Sequence, residues 1–326
     1  MKTIALVAGG NSAEAEVSLR SAAFVMSQFD TTRYLVYLVT VKGTEWAVQL
    51  DGAAYPIDKN DFSATLNGQK LRFNAAYILI HGTPGEDGKL QAFFELLHIP
   101  YTGCGLLTSA LTFNKYSCKS YLEKFGVPMA KGILIRKGER VNAPEVVREV
   151  GLPCFIKPNN GGSSFGVSKI KSEAELLPAL EKAFAHDSEI IVESFLQGTE
   201  ITCGLLRKEG KLRVLPITEV VPETEFFDYE AKYLGKSREI TPARITREVW
   251  EACEALSCTI YNALNCRGIV RIDYMICNEQ LYFLEVNTIP GMTQQSFVPQ
   301  QIAAAEWNVR DFLTTLLEEA LTDPTR

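Results

Sequence analysis

Residues 268–287 read GIVRIDYMICNEQLYFLEVN, which predicts two apolar strands joined by the polar letters NEQ. Arg271 and Asp273 alternate with an apolar residue on the first strand, as Glu285 and Asn287 do on the second, so each pair shares a face. A three-residue loop predicts that Asp273 faces Glu285 and that Arg271 faces Asn287. A two-residue loop would instead place the carboxylates on opposite faces of the hairpin. In the first register two carboxylates and an amide oxygen converge, which favours one or two Mg²⁺ ions over a solvated polar face.

A second polar segment, KPNNGGSSFG at 157–166, lies between two predicted strands. Its glycines let backbone N–H groups close around an anion, its hydroxyls can donate hydrogen bonds, and Lys157 adds positive charge. It is not a Walker A motif, because G-x-x-x-x-G-K-[ST] is absent and no helix follows directly. Anion binding and an ordinary flexible hairpin loop both remain open interpretations of this segment.

The segment GGNSAEAEVSL at 9–19 follows an apolar strand predicted at 3–8. Ser12 is the expected N-cap of a helix over 13–29, and acidic residues such as Glu14 suit the positive end of the helix dipole. Acidic side chains here would suit an ammonium group, although helix-end electrostatics alone explains them equally well. The fingerprint G-x-G-x-x-G is missing, which disfavours a Rossmann-type, NAD-dependent dehydrogenase.

The remaining pattern predicts three consecutive segments of strands and helices. In the first, strands at 35–41 and 75–80 and a helix at 90–97 alternate in the β-α-β order of an open parallel sheet. In the second we expect a helix bearing Lys115 and Lys119, strands at 132–136, 154–157, 167–170 and 189–195, a helix at 144–150, and a helix that opens with a capping box at 172–175. In the third we expect strands at 200–207 and 212–221, a helix over 241–264, the 268–287 hairpin and a helix over 309–321. The polar stretch 222–240 is long enough to be a lid.

Composition excludes several classes of function. The chain has 326 residues, 33 of them basic and 39 acidic, and its net charge of −6 disfavours a dedicated nucleic-acid-binding protein. Its apolar runs are too short for a membrane span or a signal peptide, so we expect a cytoplasmic protein. Three histidines and eight cysteines without C-x-x-C or H-E-x-x-H spacing disfavour a zinc site, and we expect reduced, mostly buried cysteines.

Seven segments, in this order, resemble the D-alanine–D-alanine ligase family of the ATP-grasp superfamily. They are GGNSAEAEVSL (9–19), HGTPGEDG (81–88), PYTG (100–103), KPNNGGSSFG (157–166), DYEAKY (228–233), RID (271–273) and LEVNTIPGMT (284–293). Each segment is weak alone, but their order along nearly the whole chain is specific. The resemblance implies an α/β and α+β protein, with an N-terminal open parallel α/β domain followed by a two-lobed ATP-grasp fold. The expected domains are an N-terminal substrate domain (1–103), a central ATP-grasp lobe (104–193) and a C-terminal lobe with the metal and substrate site (194–326).

The resemblance also implies a reaction. ATP would phosphorylate the carboxylate of one D-alanine, and the amine of a second would attack the acylphosphate. The products would be D-alanyl-D-alanine, for peptidoglycan synthesis, with ADP and phosphate. The expected cofactors are ATP and two Mg²⁺ or Mn²⁺ ions. The expected assembly is a homodimer that binds neither nucleic acid nor membrane.

Roles for individual residues follow from the same resemblance. The first D-alanine would be bound through its ammonium group by Glu14, with Val17, Ser18 and His81 nearby, and the carboxylate of the second D-alanine would be contacted by Ser296 and Phe297. ATP would be held by Lys115, Lys157, Ser163, Ser164, Glu193, Leu196, Glu200 and Lys232. The metal ligands would be Asp273, Glu285 and Asn287. Arg271 and the backbone of Gly291 would stabilise the tetrahedral oxyanion, and Tyr233 on the lid would link through Ser163 to Glu14.

Two alternatives to this reaction remain open. A ligase of the same chemistry could use D-lactate or D-serine as acceptor, although Tyr233 favours an amine, because related D-alanine–D-lactate ligases typically differ at this tyrosine. A catalytically silent ATP-grasp nucleotide-binding module is the alternative from another class. Six intact residues disfavour it: Lys157, Ser163, Arg271, Asp273, Glu285 and Asn287.

Overall fold

The computed structural model describes residues 1–162, 166–222 and 237–323. Within these ranges the strands form three sheets, of seven, four and six strands. Helices accompany each sheet along the chain, which confirms the predicted α/β and α+β class.

The first sheet is built from the N-terminal part of the chain. Its strands are β1 (Lys2–Gly9), β2 (Tyr34–Lys42), β3 (Glu45–Leu50), β4 (Ala53–Asp58), β5 (Ser63–Leu66), β6 (Gln69–Leu71) and β7 (Ala75–Ile78), in the order β6-β5-β4-β3-β2-β1-β7. Strand β1 pairs in parallel with β2 and with β7, as predicted. Strands β2 to β6 continue as antiparallel hairpins, which the sequence pattern does not predict. Helix α1 (Ala15–Gln28) connects β1 to β2, and α2 (Lys89–Leu96) follows β7.

The second sheet lies in the middle of the chain. The elements are α3 (Leu106–Phe113), α4 (Lys115–Glu123), β8 (Gly132–Arg136), α5 (Ala143–Val150), β9 (Cys154–Pro158), β10 (Ser168–Ile170), α6 (Leu176–Ala183) and β11 (Glu189–Ser194). The strand order is β10-β9-β11-β8, and every pairing is antiparallel. The expected capping box forms only in part. The hydroxyl of Ser172 and the backbone N–H of Lys171 both donate to Glu175, but a short 3₁₀ turn (Glu173–Glu175) precedes α6.

The third sheet is formed by the C-terminal part. Its elements are β12 (Thr199–Lys208), β13 (Lys211–Val214), β14 (Thr218–Pro222), β15 (Ser237–Ile240), α7 (Arg247–Ala263), β16 (Val270–Cys277), β17 (Gln280–Asn287), α8 (Phe297–Ala304) and α9 (Val309–Thr322). The strand order is β15-β14-β12-β16-β17, and β13 also pairs with β12.

Two predictions in this region are wrong. The single strand over 212–221 is two strands, because β13 and β14 pair with different parts of the long strand β12. The helix expected from 241 begins at Arg247, because Thr246 caps it by accepting a hydrogen bond from the N–H of Val249.

The β16–β17 hairpin has the predicted facing carboxylates but not the predicted loop. Asp273 pairs with Glu285, as expected. The turn, however, has only two residues, Asn278 and Glu279, with left-handed φ angles of 49° and 64°. A register shift between Asp273 and Tyr274 compensates for the shorter turn. A β-bulge therefore restores the register that the sequence argument assigned to a three-residue loop.

The hydrophobic core joins distant parts of the chain. Phe312 and Leu317 of α9 pack in one cluster with Ile4 of β1. Cys118 and Leu122 of α4 pack in the cluster beneath the third sheet. The expected domain boundaries after 103 and after 193 stay a prediction.

The structure also tests two expectations from the sequence, one on membrane-spanning helices and one on the cysteines. Across the described ranges, no helix combines the length and apolar character needed to cross a bilayer. All eight cysteines are free thiols and six are buried, in line with the expectation from their spacing.

Candidate functional site

A cleft of about 1100 Å³ is lined by side chains from all three sheet regions. The predicted site residues that line it are Glu14, Lys115, Lys157, Glu193, Leu196, Glu200, Arg271, Asp273, Glu285 and Phe297. The predicted residues that do not line it are Val17, Ser18, His81, Asn287, Gly291 and Ser296. Ser163, Ser164, Lys232 and Tyr233 lie outside the described residues, so the proposed link from Tyr233 through Ser163 to Glu14 stays a prediction.

Glu14 is placed at the cleft by a glycine turn that ends β1. Gly9 and Gly10 have φ angles of +100° and +105°, and a Cβ on Gly9 would lie 2.6 Å from the carbonyl oxygen of Val41, so this turn requires glycine. The prediction that Ser12 is the N-cap is wrong. Helix α1 begins only after Glu14, whose N–H donates to the hydroxyl of Ser12 at 3.2 Å.

The 157–166 segment approaches Glu14 through a glycine. A Cβ on Gly162 would lie 3.0 Å from Oε2 of Glu14, closer than ordinary van der Waals contact. The candidate anion-binding loop and the candidate ammonium ligand therefore lie side by side in one cleft.

Glu86 is a second carboxyl beside Glu14, and no sequence argument singled it out. Its Oε2 accepts a hydrogen bond from the N–H of Gly82 at 2.7 Å, and its Oε1 accepts one from the N–H of Ile289 at 3.4 Å. Burial, followed by the negative charge of Glu14, raises the pKa of Glu86 to about 7. The only signal in the sequence was its place in the polar segment HGTPGEDG.

Ser18 and His81 lie behind the cleft wall rather than on it. Ser18 is fully buried, and its hydroxyl accepts from the N–H of Gly9 at 2.9 Å and donates to the carbonyl of Leu79 at 2.7 Å. Nδ1 of His81 lies 2.8 Å from the carbonyl oxygen of Ile289. Both side chains therefore fix the loops that carry Glu14 and the 288–293 segment.

Lys115 is the first residue of α4 and touches both the loop and the hairpin. Asn114 caps the helix by accepting from the N–H of Ser117 at 2.9 Å. The Nζ of Lys115 donates to the carbonyl of Gly161 at 2.6 Å and lies 3.3 Å from Oε2 of Glu285. The predicted phosphate ligand is thus in an ion pair with a predicted metal ligand.

Lys157 and Glu193 are diagonal neighbours on the adjacent strands β9 and β11, since Lys157 pairs with Ile191. The Nζ of Lys157 lies 2.9 Å from Oε2 of Glu193, and Oε1 of the same carboxylate contacts the Nζ of Lys119. Burial alone would raise the pKa of Glu193, but Coulombic attraction to Lys119 and Lys157 outweighs it and lowers the pKa to about 2.

Arg271 and Asp273 form a buried, bidentate ion pair on β16. Both donor–acceptor distances between their side chains are 2.9 Å. Asp273 also accepts from the hydroxyl of Thr202 at 2.5 Å and from the amide of Asn287 at 3.0 Å. The ring of Phe297 lies 5.2 Å from the guanidinium carbon of Arg271. Attraction to Asp273 outweighs burial and raises the pKa of Arg271, so this side chain stays a cation.

The residues around this ion pair fit a hard divalent cation. Asp273 and Glu285 face each other across the hairpin, and Asn287 hydrogen-bonds to Asp273. These are oxygen ligands of the kind that Mg²⁺ prefers. The described part of the chain holds no group of three or more His, Cys, Asp or Glu side chains that could bind a metal, so a cation here would depend on two carboxylates and an amide oxygen.

Gly291 and Ser296 contact each other beside the cleft. A Cβ on Gly291 would lie 2.9 Å from the hydroxyl oxygen of Ser296, so a larger residue here would displace that hydroxyl. The same hydroxyl accepts from the N–H of Thr293 at 3.1 Å. Ser296 directly precedes α8, whose first residue is Phe297. The 291–296 turn therefore positions the phenyl ring that lies over Arg271.

The other end of the cleft has apolar walls that sequence reasoning missed. Phe155, Phe195, Met275 and Leu284 line it together with the predicted residues Leu196 and Glu200. These side chains could hold a planar ring, with the Glu200 carboxylate able to accept hydrogen bonds at its edge. Apolar residues at strand positions give no signal in the sequence that separates a binding wall from a core.

Comparisons with known proteins agree with this geometry. The model of the D-ala D-ala ligase N-terminus matches residues 3–104, and that of the D-ala D-ala ligase C-terminus matches residues 121–318. A D-alanine–D-alanine ligase of Phocaeicola vulgatus is 52% identical over 319 residues, which cover 97% of this chain and 98% of the relative.

Solved structures give the same result. The VanG D-Ala:D-Ser ligase of Enterococcus faecalis is 31% identical, with a TM-score of 0.86 over 98% of this chain and 99% of that protein. A D-alanine–D-alanine ligase of Bacillus anthracis complexed with ATP is 29% identical, with a TM-score of 0.80 over 98% of each chain.

Proposed function

The chain belongs to the D-alanine–D-alanine ligase family, and we propose that it joins two D-alanines at the expense of ATP. The observation that carries this proposal is the pair of facing carboxylates, Asp273 and Glu285, in the same cleft as Lys157, Arg271 and Glu14. One cleft thus holds ligands for a metal-bound polyphosphate and for an amino acid.

The reaction proceeds in two transfers. The carboxylate of the first D-alanine takes the γ-phosphoryl group of ATP, giving an acylphosphate and ADP. The amine of the second D-alanine then attacks the acyl carbon, and the tetrahedral intermediate expels phosphate to leave the peptide bond. Little covalent chemistry falls to the protein, so its contribution is positioning and charge neutralisation.

The roles that we propose for individual residues follow the family. Glu14 binds the ammonium of the first D-alanine, while Lys115 and Lys157 bind phosphate oxygens. The adenine and ribose lie between Glu193, Leu196 and Glu200, and Ser163, Ser164, Lys232 and Tyr233 close over the nucleotide. Val17, Ser18 and His81 support the first substrate, and Ser296 and Phe297 the second. Arg271 and the N–H of Gly291 stabilise the oxyanion.

Two Mg²⁺ or Mn²⁺ ions would be held by Asp273, Glu285 and Asn287, where they would neutralise charge on the phosphates. The proposed ligands now take part in contacts with protein cations, such as Lys115 with Glu285. Binding of the nucleotide would therefore involve an exchange of partners: lysines would bind phosphate oxygens, and the carboxylates that they leave would be available to hold a cation. This exchange keeps buried charges paired throughout.

Product analysis tests the proposal. Purified protein is incubated with ATP and MgCl₂ and with D-alanine, L-alanine, D-alanine plus D-lactate, or D-alanine plus D-serine. Phosphate release and product mass are both measured. We expect release that depends on D-alanine and yields D-alanyl-D-alanine. A mixed D-alanyl-D-lactate product at neutral pH would mean that Tyr233 does not set the choice of acceptor, and a D-serine product would assign the alternative acceptor.

A matched pair of variants separates the ligase from a silent nucleotide-binding module. Glu285→Ala should abolish D-alanine-dependent phosphate release, while Glu279→Ala, at the exposed turn of the same hairpin, should leave it unchanged. ATP binding without turnover under any condition would overturn the ligase proposal in favour of the silent module.

We also propose a cytoplasmic homodimer that acts in peptidoglycan precursor synthesis and binds neither nucleic acid nor membrane. The support is the family and the net charge of −6. We also propose the domain division 1–103, 104–193 and 194–326. Light scattering that gives the mass of one chain would contradict the dimer.

A further inference from the structure

Lys119 is a buried cation for which the proposed reaction has no use. It lies one helical turn after Lys115, so both side chains share a face of α4. Its side chain is 8% exposed and contacts Oε1 of Glu193, whose side chain is 4% exposed. Burying an ammonium group is costly unless a partner compensates its charge, so we ask what the buried Lys119–Glu193 pair contributes to the site.

The carboxylate of Glu193 is shared by two cations from two elements. Lys157, on β9, lies 2.9 Å from Oε2, while Lys119, on α4, contacts Oε1. The two lysines differ in exposure, since the side chain of Lys157 is 24% exposed and lines the cleft, whereas Lys119 is not among the lining residues. Only Lys157 can therefore reach a ligand in the cleft without a rearrangement of the helix.

A phosphate that draws Lys157 away has to compete with Glu193. If Lys157 were the only partner, its departure would leave a buried carboxylate unpaired, which is strongly unfavourable. With Lys119 in place, the carboxylate keeps one cation after Lys157 leaves. The three side chains carry one net positive charge, which suits a polyanionic ligand.

We propose that Lys119 is a positioning residue for the nucleotide: it holds and neutralises Glu193, so that Lys157 can leave this carboxylate for the phosphates of ATP. This inference rests on the proposed ligase function. Lys119 itself touches neither ATP nor D-alanine, and its effect passes through Glu193 alone.

The first test is a split between two Michaelis constants. Lys119→Met should raise the KM for ATP by on the order of tenfold, a typical size for the coupling between two binding events. The KM for D-alanine should stay unchanged. Lys119→Arg keeps the cation and should stay near the wild type. Lys124→Met, an exposed lysine that follows the same helix, is the matched control and should change neither constant. An unchanged KM for ATP, or an equal rise in both constants, would overturn the inference.

A double mutant shows whether a change in the KM for ATP reflects a folding defect. Lys119→Met with Glu193→Gln buries no unpaired carboxylate, so this variant should fold, as a thermal melt can check. Because Lys119 acts only through Glu193, adding Lys119→Met to Glu193→Gln should not change the KM for ATP any further. A further rise in that background would contradict the inference.

Calorimetric titration of ATP into the same variants separates this inference from the proposed function. If the wild type binds ATP but releases no phosphate with D-alanine, the ligase proposal fails. The ATP affinities of the variants then decide the role of Lys119 on their own.

Discussion

The two ends of the cleft handle charge in opposite ways. At one end, each buried carboxylate lies in an ion pair, as in Lys157–Glu193 and Arg271–Asp273. At the other end, Glu14 lies close enough to Glu86 to help raise its pKa to about 7. The first arrangement offers cations to a phosphate and carboxylates to a metal. The second places two carboxyl groups close together, an arrangement that suits the ammonium group of an amino acid.

The same physical rule explains both ends. Burial makes an unpaired charge costly, so the charged groups of a binding site need opposite charges from the protein or from the bound ligand. The paired end needs an exchange of partners when it binds a ligand. At the acidic end, the ammonium group of a ligand would lie beside two carboxyl groups, Glu14 and Glu86.

The largest effect is expected at the Arg271–Asp273 ion pair. Arg271→Met removes the proposed oxyanion ligand and should lower kcat for D-alanine-dependent phosphate release by about 10²–10³. Arg271→Lys keeps the charge but loses the bidentate geometry, so it should recover only part of the loss. A thermal melt controls for the effect on Asp273. A fall of less than about tenfold in the folded Arg271→Met variant would place Arg271 outside the transfer step.

A smaller effect should separate the acidic end from the paired end. Glu14→Gln removes a charged hydrogen-bond acceptor and should raise the KM for D-alanine by about 10- to 100-fold. The KM for ATP should stay within about twofold, since the lysines at the other end are untouched. Glu16→Gln, an exposed acidic residue in the first turn of α1, is the matched control. Equal changes in the KM for D-alanine and the KM for ATP would show that the two ends of the cleft do not bind different ligands.

The two ends should also respond to pH with opposite signs. The folded pKa of Glu86 is about 7 and its unfolded pKa is lower, so between these values the native protein binds more protons and its free energy of unfolding falls as pH rises. The pKa of Glu193 is lowered to about 2, so its contribution is present above the unfolded pKa and is lost as pH falls toward 2.

Melting temperatures check this difference. Between pH 5 and pH 8, the melting temperature of the wild type should fall as pH rises, and Glu86→Gln should reduce this fall. The difference should be a few degrees at most, since about 1 kcal/mol of unfolding free energy shifts a melting temperature by roughly 2–4 °C. Glu16→Gln should leave the profile unchanged. A wild-type decline that persists in Glu86→Gln would assign the titration to another group.

The smallest effect concerns the hairpin that carries the metal-directed carboxylates. Glu279 has a left-handed φ of 64°, which costs a non-glycine residue about 1 kcal/mol. Glu279→Gly should therefore raise the melting temperature slightly and leave the activity unchanged, whereas Glu279→Ala should not raise it. A loss of activity in Glu279→Gly would mean that the turn is coupled to the site.

This hairpin also marks how far the sequence could predict the molecule. Period-two alternation identified both strands and the shared faces, and the facing pair of Asp273 and Glu285 is confirmed. The loop length was wrong, because a β-bulge leaves no mark in an alternating pattern and cancels the shorter turn. The predicted pairing of Asp273 with Glu285 is therefore correct because the shorter turn and the β-bulge compensate for each other.

Other gaps have similar physical causes. The antiparallel edge of the first sheet was missed, although Asp51-Gly52 and Asn67-Gly68 carry left-handed φ angles typical of hairpin turns. Glu86 was missed because its surroundings come from residues distant in sequence: burial and the charge of Glu14 raise its pKa, and the N–H of Ile289 donates to its Oε1. The family resemblance identified ten of the residues that line the cleft, but only the structure pairs the cations with the carboxylates.

A crystal structure with ADP and Mg²⁺ would show whether the cations change partners when the nucleotide binds. We expect that Lys115 leaves Glu285 and that Lys157 leaves Glu193 for phosphate oxygens, while Lys119 stays on Glu193. A bound nucleotide with the Lys157–Glu193 pair still at its present distance of 2.9 Å would contradict this exchange of partners.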